Sequence, residues 1–198
     1  MSEFALTYET ADHAPMAVSE EDGWVQRARA GDIEAFDAIM TQYEGRLRRF
    51  LSGLVGDSEV AQELCQDTFL AAYQALPRAQ GEMRLSAWLH TIALNKARSH
   101  HRRRKLCLFV PLKDDEFRSS SRDLQDGVAM DDTVRRTLQR MPRQYAHPLL
   151  LQTAGGLSCQ EIAEVLNCST GAVKVRLMRA RESFKKIYED EEREPCAS

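Results

Sequence analysis

No stretch of the chain approaches the ~20 consecutive apolar residues that a bilayer-spanning helix needs, so membrane insertion is not expected. Met1 to Asp22 holds neither lysine nor arginine and no sustained apolar run. It therefore reads as neither a secretory signal nor a transit peptide, and a cytoplasmic location is expected. Cysteine pairs at CxxC spacing are also lacking. Cys65, Cys107, Cys159, Cys168 and Cys196 are odd in number and scattered, with no histidine at zinc-finger spacing, and are read as reduced thiols. His100, His101 and Cys107 could form a metal or redox sensor, although adjacent histidines beside a basic run are more often solvated. Alternation of apolar and polar residues over a useful strand length is missing too, which leaves an all-helical fold. Outside one basic run there is no cluster of arginines around a Ser or Tyr nucleophile, the arrangement that a DNA-processing enzyme such as a resolvase requires.

What the chain does have is an uneven charge distribution. Its net charge of −3 taken alone argues against a nucleic-acid binder. From Arg84 to Lys105, however, the charged residues are Arg84, Lys96, Arg98, Arg102, Arg103, Arg104 and Lys105, without one carboxylate among them. Acids gather instead at the N-terminus, in the middle and at the tail, so basic modules alternate with acidic segments.

The organisation follows. Residues 1–22 read as an acidic, disordered leader, with Glu3, Glu9, Asp12, Glu20, Glu21 and Asp22. A first domain is expected over 23–105. Within it Ile33, Phe36, Met40, Tyr43, Leu47, Phe50, Leu51 and Leu54 recur at helical steps, and Gly56 and Asp57 end that helix. A second helix carries Val60, Ala61, Leu64, Thr68, Ala71 and Ala72 and stops at Pro77; a third, with Leu85, Trp88, Leu89, Ile92 and Ala93, runs into the basic cluster. Residues 106–127, with Pro111, three consecutive serines and Asp114, Asp115, Glu116, Asp123 and Asp126, have the composition of a flexible acidic linker. A second domain is expected over 128–188, followed by an acidic, frayed tail at 189–198.

The strongest local signal lies between Leu157 and Phe184. Ser158 followed by Glu161 is a capping box that starts a helix, along which Ile162, Ala163, Val165 and Leu166 face inward. Asn167 stands at the turn, where its side chain tolerates a left-handed backbone, and Ser169 caps the next helix. That helix sets Val173, Leu177, Ala180 and Phe184 on one face and leaves Lys174, Arg176, Arg179 and Arg181 on the others. The order of cap, small residue, turn and basic helix is that of a helix-turn-helix. Thr170, Gly171 and Lys174 are expected to reach base edges in the major groove, with Arg176 and Arg179 further along to hold phosphates and Ser169 also in the DNA-binding set. An ordinary helical hairpin with a solvated basic face is the alternative.

Two longer blocks say more. AFDAIMTQYEGRLRRFLSGLVGD, AQELCQDTFLAAYQAL and LSAWLHTIALNKARSHHRRR, between Ala35 and Arg104, resemble the polymerase-binding and promoter-melting domain of extracytoplasmic-function (ECF) sigma factors. MPRQYAHPLLLQTAGGLSCQEIAEVLNCSTGAVKVRLMRARESFKK, Met141 to Lys186, is similar to that family's upstream-element domain. The resemblance implies a non-enzymatic initiation factor that needs no cofactor or metal. Its implied partners are core RNA polymerase, promoter DNA and an anti-sigma factor. It also implies roles for residues: Gln66, Asp67, Thr68 and Phe69 in docking on polymerase; the Ala79 to Leu85 turn, with Gln80 and Arg84, and Trp88 in capturing an unpaired minus-ten base. Asn95, Arg98 and the run Arg102, Arg103, Arg104 and Lys105 are implied for the minus-ten duplex, and the second helix of the helix-turn-helix for the minus-thirty-five element.

Each role has a plainer competitor. Asp67 could be an exposed helical acid, Trp88 a core residue, and the basic run a solvated helix end. Pro148, inside the expected first helix of the second domain, removes a backbone donor and is expected to kink or restart that helix. A dimeric helix-turn-helix repressor would use the same C-terminal module but leaves the first domain without a role.

Overall fold

The computed structural model describes residues 18–79, 81, 83–107 and 131–193, and every regular element among them is helical. The first half comprises α1 (Val18–Arg29), α2 (Ile33–Val55), α3 (Ser58–Ala75), a 3₁₀ turn (Leu76–Arg78) and α4 (Leu85–Cys107). The second comprises α5 (Asp132–Arg140), α6 (Arg143–Thr153), α7 (Cys159–Leu166) and α8 (Thr170–Arg193). The all-α class and the paired helical domains are as the periodicity indicates. The acidic linker lies outside the described residues, except that 106 and 107 continue α4 rather than leave it.

Local chemistry sets the boundaries. Asp32 caps α2 by accepting from the Ala35 N–H at 3.2 Å. Gly56 closes that helix at φ +75°, a left-handed conformation that costs glycine little. Asp57 then caps α3 through the N–H groups of Glu59 and Val60 at 2.9 and 3.1 Å. Pro77 cannot extend the α3 ladder, and the chain leaves through the 3₁₀ turn.

Four expectations are corrected. The leader expected over 1–22 gives way to helix at Val18, because Val25 and Ala28 bury one face of α1 and Glu21 accepts a 2.7 Å hydrogen bond from the Tyr43 hydroxyl. The tail expected to fray from 189 stays helical to Arg193, where Glu191 pairs with Arg140 at 2.6 Å and Arg136 at 3.6 Å. Helix α6 runs continuously through Pro148 and does not restart there. The lost bond would have ended on the carbonyl of Gln144, an exposed residue that water can serve, and Leu149, Leu150 and Leu151 are buried around the proline. Ile33, assigned inward by its spacing, is exposed at the first turn of α2.

Phe50, Ile39, Leu47 and Leu51 of α2 are fully buried, and each such side chain stabilises the fold by about 1.5–3 kcal/mol. Their core is continuous with that of the second half, because α2 meets α5 and α6 while α4 meets α7. Glycines make the approach possible. Gly53 forms a notch that the Leu150 side chain occupies, and Gly155 lies where a Cβ would stand 2.8 Å from His90 Nε2 and 2.7 Å from the Leu151 carbonyl. Polar contacts border this seam: Arg135 donates to the Gly56 carbonyl at 3.2 Å, and Arg84 pairs with Glu164 at 3.1 Å.

Filling the notch should therefore part the halves. Gly53→Val is expected to cost about 1–3 kcal/mol by overpacking against Leu150. It should raise the radius of gyration in small-angle scattering while helical circular dichroism is retained. An unchanged radius would mean that Leu150 yields instead.

Candidate nucleic-acid interface

The helix-turn-helix is built as its residues dictate. Ser158 Oγ accepts the Glu161 N–H at 3.3 Å, and the Glu161 carboxylate accepts the Ser158 N–H at 2.9 Å, which closes the capping box. Helix α7 ends at Asn167, whose φ of 49° and ψ of 56° are left-handed. Ser169 Oγ then accepts the Ala172 N–H at 3.2 Å and opens α8. Val173, Leu177 and Ala180 are buried against α6 and α7, so Ser169, Thr170, Gly171, Lys174 and Arg179 stand exposed along the other side. Arg176 behaves differently. It is half-buried, its guanidinium lies 3.5 Å from Cys168 Sγ, and it faces the first half of the molecule.

On α4, Asn95, Arg98, Arg102 and Arg103 are exposed, and Arg102 donates to Ser99 Oγ at 3.1 Å. Asn95, Arg98 and Arg102 share a cleft of 650 Å³ with Arg143, His147 and Arg176 of the second half. Residues expected to read two different promoter elements are thus brought together in the docked arrangement. Trp88 is half-buried and packs on the core with one side. Arg84 is exposed and paired with Glu164. Gln80 and the Lys105 side chain lie outside the described residues. Sequence reasoning missed Arg29, which donates to the Gly81 carbonyl at 3.0 Å and so ties the Ala79 to Leu85 turn to α1.

The expected polymerase-docking set divides. Gln66 and Asp67 are exposed, Asp67 facing Lys96 at 3.6 Å, but Thr68 and Phe69 are buried. Thr68 spends its hydroxyl on the Leu64 carbonyl at 2.6 Å. Neither can present a side chain to a partner, since both point into the packing of α3 on its neighbours. The residues that share the outer face with Gln66 are Leu70 and Tyr73, 57% and 42% exposed. Steps of four and three from Gln66 could have found them.

Among the described residues no three His, Cys, Asp or Glu side chains converge as metal ligands, and Cys65, Cys159 and Cys168 are free thiols. No described helix is long and apolar enough to cross a membrane. Helical halves joined through a long connection, one with a capped helix-turn-helix and the other with a basic helix, define a DNA-binding transcription factor. The family model for sigma-70 region 2 matches residues 39–106, and that for sigma-70 region 4 matches 131–184. The RNA polymerase sigma-H factor of Pseudomonas aeruginosa is 32% identical over 88% of this chain and 97% of its own length. The ECF RNA polymerase sigma-E factor of Escherichia coli is 28% identical over 81% and 90%. The chain belongs to the ECF family of RNA polymerase sigma factors, which direct transcription initiation at specific promoters. Its fold is similar to that of CnrH, solved with the cytosolic domain of CnrY, at a TM-score of 0.68 and 24% identity over 86% of this chain and 98% of that one. It is also similar to that of the sigma factor RpoE of Bartonella quintana, solved with the anti-sigma factor NepR, at a TM-score of 0.66 and 23% identity over 78% and 96%.

Two histidines line the contact between the halves and respond to acid in the same direction. Burial lowers His90 from the ordinary 6.5 to about 4, and its Nδ1–H is committed to the Ser86 carbonyl at 2.8 Å. Burial, reinforced by Arg98 and Arg143, lowers His147 to about 4 as well. Because both are held neutral in the fold, the unfolded chain takes up the protons first. The stability these two rings contribute is expected to be complete well above pH 6.5 and to be lost as the pH drops through 6.5 toward 4. Between pH 7 and pH 5 the loss is expected to be on the order of 2 kcal/mol per histidine, read from urea denaturation. His147→Gln should remove its share of the pH dependence, whereas a midpoint that does not move with pH would mean that both rings reach solvent.

Proposed function

We propose that this sigma factor reads the minus-thirty-five element with α8 and the minus-ten element with α4 and the turn before it. Ser169, Thr170, Gly171 and Lys174 would meet base edges, and Arg176 and Arg179 the flanking phosphates. Asn95, Arg98, Arg102 and Arg103 would hold the minus-ten duplex, while Arg84, Gln80 and Trp88 would engage the strand once it is unpaired. Gln66 and Asp67, extended by Leu70 and Tyr73, would form the polymerase-docking face, because a partly apolar exposed surface suits protein association better than DNA. The observation that carries the reading is the exposed N-terminal half of α8, held in place by its buried opposite face.

The mechanism is binding without catalysis, in the cytoplasm and with no cofactor. Differential affinity for single strands shifts the promoter toward its open form. Arg98 and Arg176 face one cleft in the docked form, so reading both elements at once requires the halves to separate. An anti-sigma partner is proposed on the likeness to the sigma factor RpoE solved with the anti-sigma factor NepR.

The test compares an intact promoter with one carrying a pre-melted minus-ten bubble, using the holoenzyme on both. Lys174→Ala should weaken closed-complex binding by about 1–3 kcal/mol when the upstream element is present. Arg84→Ala should instead impair opening and bubble binding. Trp88→Ala is measured together with thermal stability: lost bubble binding at an unchanged melting temperature supports stacking, and a lowered melting temperature marks a core residue. Equal losses on both templates from folded Lys174 and Arg84 variants would contradict the division of labour.

A further inference from the structure

Two large apolar side chains of α8 are exposed, Val175 at 47% and Met178 at 54%. Neither belongs to the face buried on α6 and α7. At 3.6 residues per turn, Gly171, Val175 and Met178 fall within roughly 60° of one another, directly opposite Val173, Leu177 and Ala180. Lys174 flanks this strip on one side and Arg179 on the other, both exposed. An apolar strip with a cation along each edge matches the cross-section of a major groove, whose floor is lined by base edges and whose walls are phosphates. Gly171 points the same way. A Cβ there would meet nothing nearer than Ser169 Oγ at 4.0 Å, so the packing of the chain does not require glycine, although glycine weakens a helix relative to alanine. What it permits is close approach of an external surface to the first turn of α8. The strip ends one turn beyond Met178 at Glu182, which phosphate would repel.

Among the four bases only thymine offers a hydrocarbon group in the major groove, its C5 methyl. We infer that Val175 and Met178 select the upstream element by packing against thymine methyl groups. The inference rests on α8 being the upstream reader and adds residues that hydrogen-bonding logic passes over. Such a contact reads sequence without a donor or acceptor, and its strength comes from apolar area removed from water.

Uracil isolates the contact, because it lacks the methyl while keeping every hydrogen-bonding group of thymine. Holoenzyme assembled from the full chain and bacterial core polymerase first selects its preferred upstream sequence from promoter duplexes randomised over that element. Each thymine in the selected duplex is then replaced by uracil. At one or two positions the replacement should weaken binding about fourfold, the factor expected for one buried methyl group. Val175→Ala or Met178→Ala should weaken binding to the thymine duplex by a similar factor and abolish the difference between thymine and uracil. The inference is overturned if no thymine is selected, if uracil binds equally well, or if both alanine variants still distinguish the two bases. It is also overturned if those variants lose polymerase while uracil has no effect, because the pair would then be a protein contact. Lys174→Ala separates this outcome from failure of the underlying reading. If it weakens thymine and uracil duplexes alike while uracil itself is neutral, α8 reads DNA without methyl contacts; if it too is neutral, α8 is not the upstream reader.

Discussion

Burial of Val173, Leu177 and Ala180 beneath α6 and α7 orients everything that α8 shows to solvent. A recognition helix must be gripped on one side and left bare on the other, and the grip has to be stiff enough that rotation does not move the bare side out of register. Steps of four and three residues give one narrow buried face, so the remaining circumference is free for Lys174, Val175, Met178 and Arg179. The turn before it serves the same end. The capping box at Ser158 fixes where α7 begins, Asn167 reverses the chain without the cost a branched residue would carry, and Ser169 fixes where α8 begins. Each device is local, and together they determine which residues of α8 stand exposed.

The contact between the halves is a different kind of constraint. Its central pieces are residues with no side chain, Gly53 and Gly155, accepting Leu150 and the His90 ring. Close approach excludes water from His90 and His147, and Arg98 and Arg143 make the surroundings of His147 still less favourable to an imidazolium. Acid sensitivity therefore comes first from burial of the two rings, and guanidinium groups add to it at His147.

Periodicity and capping made most of this fold readable in advance. The α2 stripe, the stop at Gly56 and Asp57, and the helix-turn-helix all follow from short-range chemistry, and the structure has them where the residues place them. What was unreadable was long-range. Nothing near residue 20 indicates that Glu21 bonds to Tyr43, nor does the tail reveal that Glu191 pairs with Arg136 and Arg140. Both acidic ends looked solvated because their partners lie far away in sequence. Thr68 and Phe69 fell on the inner side for a related reason. Helix α3 carries apolar groups around much of its circumference, so a run of consecutive residues cannot be assigned to a single face, and only two of the four expected docking residues are exposed.

Arg176 shows how tertiary contact redistributes roles within one helix. By sequence it is equivalent to Lys174, another cation near the start of a basic helix. In the fold the two lie roughly 200° apart around the axis, and Arg176 rests on Cys168 facing α4 while Lys174 faces solvent. A count of basic residues cannot distinguish them, because the count carries no angle. The angle also brings forward Val175 and Met178, which a search for charge ignores. On the proposed reading of α8, the side chains able to reach bases are those opposite the buried face, whatever their polarity, and charge then decides only which of them meet phosphate.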